Sequence, residues 1–122
     1  MTDRPGGTTG IANPDLDGAH RELIALVRRL EEGVDVATTP EAVAAIADAI
    51  IEVNARVTAM GRVLLTDRTA EITRSARAVS AAIPAVERAI DDIEDEQALV
   101  AGIAGLLATV DHAVELAALV RG

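Results

Sequence analysis

The stretch that decides the fold is residues 39–65, TPEAVAAIADAIIEVNARVTAMGRVLL. Val43, Ile46, Ile50, Val53, Val57, Met60 and Leu64 recur at spacings of 3, 4, 3, 4, 3 and 4, which places them on one face of an α-helix. Thr39 suits the N-cap, Pro40 the first helical position and Glu41 the first turn. A second, weaker line runs at the same period through Ala47, Ile51, Asn54, Thr58, Gly61 and Leu65. Two lines on one helix predict contact with more than one neighbour.

The flanking segments repeat the pattern. Leu16, His20, Leu23, Val27, Leu30 and Val34 form one stripe, widened by Ile24 and Leu26. This predicts a helix over 15–32 that ends at Gly33. Ile72, Ala76, Val79, Ile83, Val86, Ile90 and Ile93 form another, and its phase persists across Pro84. A continuous helix over 67–93 is expected, kinked at Pro84, which lies to the outside and releases the carbonyl of Ser80. Thr66 and Asp67 suit its cap. The acidic run at 91–96 marks a turn, because acids disfavour a helix C-terminus and favour the next N-terminus. The last helix, over 95–120, carries the densest aliphatic stretch. Its Leu99, Val100, Ile103, Leu106, Leu107, Val110 and Val114 share one broad face, and Gln97, Ala101, Ala104, Ala108, Asp111, His112 and Glu115 take the other.

Period-3.5 stripes joined by short connections predict an all-α, antiparallel up-down-up-down four-helix bundle. Residues 15–122 form its single domain, and the Gly-, Thr- and Pro-rich residues 1–14 read as a flexible tail. The first helix is expected to be the shortest. The junction between the second and third helices contains neither Gly nor Pro from Arg62 to Ala70. A stutter there would instead give one long helical rod that dimerises along its length.

Composition narrows the function classes. The 122 residues include no Phe, Tyr, Trp or Cys, and all 11 basic residues are Arg. The core must therefore be aliphatic. A net charge of −9 argues against nucleic acid, whose phosphates require a basic stripe. The missing aromatics also remove stacking platforms for single strands. Residues 1–18 lack the apolar core of a secretory signal, and a cytoplasmic location is expected. All-Arg, Ala-rich usage suits a GC-rich bacterial genome. Residues 98–120 are long enough to span a bilayer, but Asp111, His112 and Glu115 interrupt them, so no membrane span is expected.

No nucleotide-binding glycine pattern is present. Gly102 and Gly105 lie within the last helix and suit close helix packing. Without Cys, a nucleophile would be Ser or Thr with an activating base, and neither His is near Ser75 or Ser80 in sequence. Without that constellation, no enzymatic activity and no cofactor are expected. His20, His112 and Glu115 are the candidates for a metal site, since all three fall near one end of an up-down bundle. However, the paired Glu-x-x-His elements of bundle metal centres are absent, and His20 more simply serves as a seam residue. A phosphoacceptor role for His20 is disfavoured by its place on the apolar stripe and by the lack of Lys. The acidic run lacks the alternating oxygen ligands of a calcium loop.

The remaining signal is surplus apolar surface. Ile51, Asn54, Leu65, Leu116 and Leu119 lie off the main seams and are the expected interface residues. Asn54 suits a role in fixing register or oligomeric state. These features predict a non-enzymatic bundle that self-associates as a homodimer and acts through protein–protein contact. The alternatives are a sensor or carrier for a small apolar ligand, held between splayed helices, and a carboxylate–histidine metal-binding bundle. Leu116→Asp is expected to weaken association before it unfolds the domain.

Overall fold

The computed structural model describes residues 13–64, 70–92 and 96–121. The proposed tail falls outside them except for its last two residues, as do Leu65, the cap at Thr66–Asp67 and the turn at 93–95. The described chain is a bundle of four helices: α1 (Pro14–Val36), α2 (Pro40–Gly61), α3 (Ala70–Asp91) and α4 (Glu96–Arg121). No strand occurs among the described residues.

Local chemistry sets the helix starts. Asn13 caps α1, its Oδ1 accepting the N–H groups of Asp15 at 3.0 Å and Leu16 at 3.3 Å, with Pro14 in the first helical position. The N–H of Asn13 donates to the carbonyl of Leu64 at 3.0 Å, which ties the start of α1 to the residues after α2. Thr39 caps α2 as its sequence predicts, accepting from the N–H of Ala42 at 3.0 Å.

The helix ends differ from expectation in two places. Gly33 does not end α1, which continues one turn to Val36 and makes α1, at 23 residues, longer than α2 and α3. The reason is packing. A Cβ on Gly33 would lie 3.3 Å from Ile90 Cγ2 and 3.5 Å from Ile46 Cδ1, so this glycine admits two neighbouring helices instead of closing its own. At the other junction the rod is overturned: α2 stops at Gly61. The N–H groups of Arg62 and Val63 turn back to the carbonyls of Ala59 and Met60, and Val63 is buried.

Successive helices run antiparallel, giving the up-down-up-down course. The neighbours, however, are not in chain order around the square. α1 packs on α2 and α3, and α4 packs on α3 and α2, which leaves α2 and α3 diagonal. The side-chain pairings show the directions. Asp15 meets Arg77, Glu22 meets Ser80, and Arg29 meets Asp91, so α1 and α3 rise in parallel. Arg56 meets Asp111 while Glu41 and Glu96 line one groove, so α2 and α4 are parallel as well. The bundle is therefore two antiparallel hairpins, α1–α2 and α3–α4, laid side by side.

The core is aliphatic throughout. Leu16, Leu23, Leu26, Leu30, Ile46, Val53, Met60, Ile72, Val79, Val86, Leu99 and Leu106 are its largest enclosed side chains. Gly102 packs against α3 at Val86, where a Cβ would make ordinary contact at 3.5 Å from Cγ2 and 3.7 Å from Cα. Gly105 faces open space and plays no such part. α3 is unbroken through Pro84, which is exposed. Pro84→Ala restores an N–H toward the Ser80 carbonyl without touching the core. It is expected to stabilise the protein by about 1–3 kcal/mol, read as a higher midpoint in thermal circular dichroism. A lower midpoint would show that the fit of α3 depends on Pro84 itself.

Candidate functional site

The two layers of the bundle differ in chemistry. α1 carries nine charged residues in 23 and α3 six in 22; α2 carries four in 22 and α4 four in 26. The α1/α3 layer is laced on its surface by Arg77–Asp15, Ser80–Glu22 and Arg29–Asp91. Across α2/α4 the described ion pairing centres on Arg56. It donates to Asp111 from Nε at 3.1 Å and from Nη2 at 3.2 Å, and it also pairs with Glu52. The hydrogen bond to Asp111 comes first among the causes that raise the pKa of Arg56 and hold it charged.

The outer face of α2 is formed by Ala44, Ala47, Ile51, Asn54, Ala55 and Thr58, all exposed. Ile51 is 65% exposed at its middle. The flank toward α4 carries Glu41, Asp48, Glu52 and Arg56. The flank toward α1 carries His20's partners, the Val57 carbonyl and Gly61. α4 presents no charge from Gln97 to Val110. Glu96–Leu119 is long and apolar enough to cross a membrane, yet here it is one wall of the bundle, and 28% of its most apolar window is buried. Val100 does not join the buried face expected for it and stands 55% exposed. With Ala45, Ala49, Ala104 and Leu107 it lines an open groove of about 230 Å³ between α2 and α4.

A second groove, about 330 Å³, lies between α3 and α4 and is lined by Glu71, Arg74, Ser75, Ala78, Thr109, His112 and Leu116. It brings Ser75 and His112 together, which their separation in sequence had hidden. Ser75 is largely buried. No hydrogen bond joins the two among the described residues, whereas a nucleophile and its base require one. The Thr109 hydroxyl donates to the Gly105 carbonyl at 2.8 Å.

The histidines are kept apart. His20 is a half-buried seam residue whose Nε2–H donates to the Val57 carbonyl at 3.1 Å, because a carbonyl only accepts. His112 and Glu115 are exposed on α4, diagonal to α1. Among the described residues no three His, Cys, Asp or Glu side chains converge as metal ligands would.

The expected interface residues separate likewise. Ile51 and Asn54 stand exposed on the outer face of α2, and Leu119 is 76% exposed near the end of α4. Leu116 instead lies half-buried against the core, in the α3/α4 groove. Its replacement by Asp therefore acts on packing first. Leu116→Asp is expected to cost about 1–3 kcal/mol of stability, seen as a lower thermal midpoint with the oligomeric mass unchanged. Compared with protein-family models, curated proteins and solved structures, the chain matches none.

Proposed function

We propose that this protein is a helical interaction module that self-associates as a homodimer and works through protein–protein contact, not through catalysis or a resident cofactor. The observation that carries this reading is the uncharged outer face of α2, with Ile51 exposed at its middle, beside an α4 that is uncharged over fourteen residues. An exposed aliphatic side chain on an uncharged helix face is stabilised when a partner covers it. The opposite layer, α1/α3, carries the charge that keeps the assembly soluble. The seated His20 and the open α2/α4 groove give the metal and enclosed-ligand alternatives less support than the face gives association.

Light scattering with refractive-index detection is the test, because a chain without Trp or Tyr gives no useful absorbance at 280 nm. A mass twice the 12.6 kDa of the chain is expected. A monomer that persists at high micromolar concentration overturns the proposal.

A further inference from the structure

We infer that the α3/α4 groove binds a free aliphatic α-amino acid, its carboxylate on Arg74, Ser75 and His112 and its ammonium on Glu71. The groove holds about 330 Å³, at the lower end of the ~300–1,000 Å³ range of small-molecule sites. Ser75 is the observation that points to a ligand. It is 8% exposed and lines the groove, yet its hydroxyl has no hydrogen-bond partner among the described residues. A hydroxyl enclosed and unpaired in this way is stabilised when a polar group enters the groove. Helix register sets its neighbours. Gly102 packs against Val86; eleven residues back along α3 lies Ser75, and eleven on along α4 lies Ala113, next to His112. The antiparallel course therefore brings Arg74, Ser75 and His112 to one level, where all three line the groove.

Charge selects a zwitterion. Glu71 and Arg74 share one face of α3, about 4.5 Å of helix rise apart, and both line the groove. Neither makes an ion pair, with the other or with any other described residue. Asp111, beside His112, is turned to Arg56 on α2 and takes no part. The groove thus offers one unpaired charge of each sign. A simple carboxylate would meet Glu71 and a simple amine would meet Arg74, whereas a molecule with both charges close together complements the pair. For the carboxylate, Arg74 supplies a two-pronged donor, Ser75 a hydroxyl and His112 a ring N–H. Ala78 and Leu116 lie one turn to either side of that centre and suit a short alkyl side chain. The site lies away from the outer face of α2, which is diagonal to α3, so it stands or falls independently of self-association.

The test is a titration of the isotope-labelled full chain, followed by backbone amide chemical shifts. The probes are L-leucine, isocaproate, which lacks the ammonium, and isoamylamine, which lacks the carboxylate. L-leucine is expected to move the amides around Ser75 and His112 and to saturate with a dissociation constant of about 1 mM or below. Each one-charge analogue is expected to bind ~10-fold or more weakly. Arg74→Gln, at an exposed position, and Ser75→Ala, which keeps a small residue in the helix, are each expected to weaken leucine binding ~10-fold with helix content unchanged by circular dichroism. Glu71→Gln is expected to bring isocaproate level with leucine. No saturable shift with leucine at about 10 mM, or shifts confined to residues outside the groove, would overturn the site. Isocaproate binding the unaltered chain as tightly as leucine would overturn the zwitterion assignment, and so would leucine binding that survives Arg74→Gln unchanged.

Discussion

Ile51→Asp is expected to convert the proposed homodimer to monomer at micromolar concentration while leaving the fold intact. In a symmetric homodimer closed at Ile51, one substitution acts twice. Each copy loses the burial of one isoleucine, about 1.5–3 kcal/mol, and each places a carboxylate in an apolar contact. The sum corresponds to a dissociation constant weakened about 100-fold or more, at ~1.4 kcal/mol per tenfold. Ile51 is 65% exposed in the single chain, so the helix loses no internal contact of consequence. Light scattering across a dilution series reads the first effect and thermal circular dichroism at low concentration reads the second. A variant that remains a dimer removes Ile51 from the interface. A variant that unfolds shows that the bundle depends on its partner to fold.

Leu23→Ala is expected to have the largest effect on the fold itself. Leu23 is fully buried in α1, the helix that packs on both α2 and α3. Truncation removes three side-chain carbons and leaves a cavity, at about 2–5 kcal/mol. Few large side chains stand ready to relax into it, because the surrounding core mixes Ala with Leu, Ile and Val and contains no aromatic ring. Against a total of ~5–15 kcal/mol for a domain, this single change spends a large fraction of the stability. The thermal midpoint is expected to fall by about 10 °C or more. A shift of only a degree or two would mean that the core is loosely packed around α1.

The sequence was most legible where one period and one burial pattern coincide. Every described residue of the α3 stripe, from Ile72 to Ile90, is buried, because α3 carries enough charge to mark its outer face. α4 was harder. Its aliphatic and small residues nearly encircle it, so nothing local separates Val100, which is exposed, from Leu99, which is enclosed. That distinction depends on which helices flank α4, and the order of neighbours around the square is a tertiary property. The same order decides that His20 and His112 sit on diagonal helices and that Ser75 shares a groove with His112. Gly33 misled for a different reason. Glycine both stops helices and lets them touch, and the choice depends on Ile46 and Ile90 in other helices. Ile51 and Asn54 were legible as off-seam positions because the second line of α2 keeps the helical period. Leu116 lies off the same kind of seam but is partly covered by the neighbouring α3.

The diagonal placement of α2 and α3 divides the molecule twice, in two directions. The covalent division gives hairpins, α1–α2 and α3–α4; the chemical division gives a charged layer, α1/α3, and a sparsely charged one, α2/α4. These divisions cross, so each hairpin contributes one helix to each layer. The α2/α4 face therefore does not exist in either hairpin alone. Arg56, the single basic residue of α2, is held by Asp111 from the other hairpin. A nascent chain that has closed only its first hairpin has α2 but not the wall beside it or the carboxylate that sets Arg56. This surface is thus complete only once both hairpins have docked, so any partner that reads it reads the finished fold.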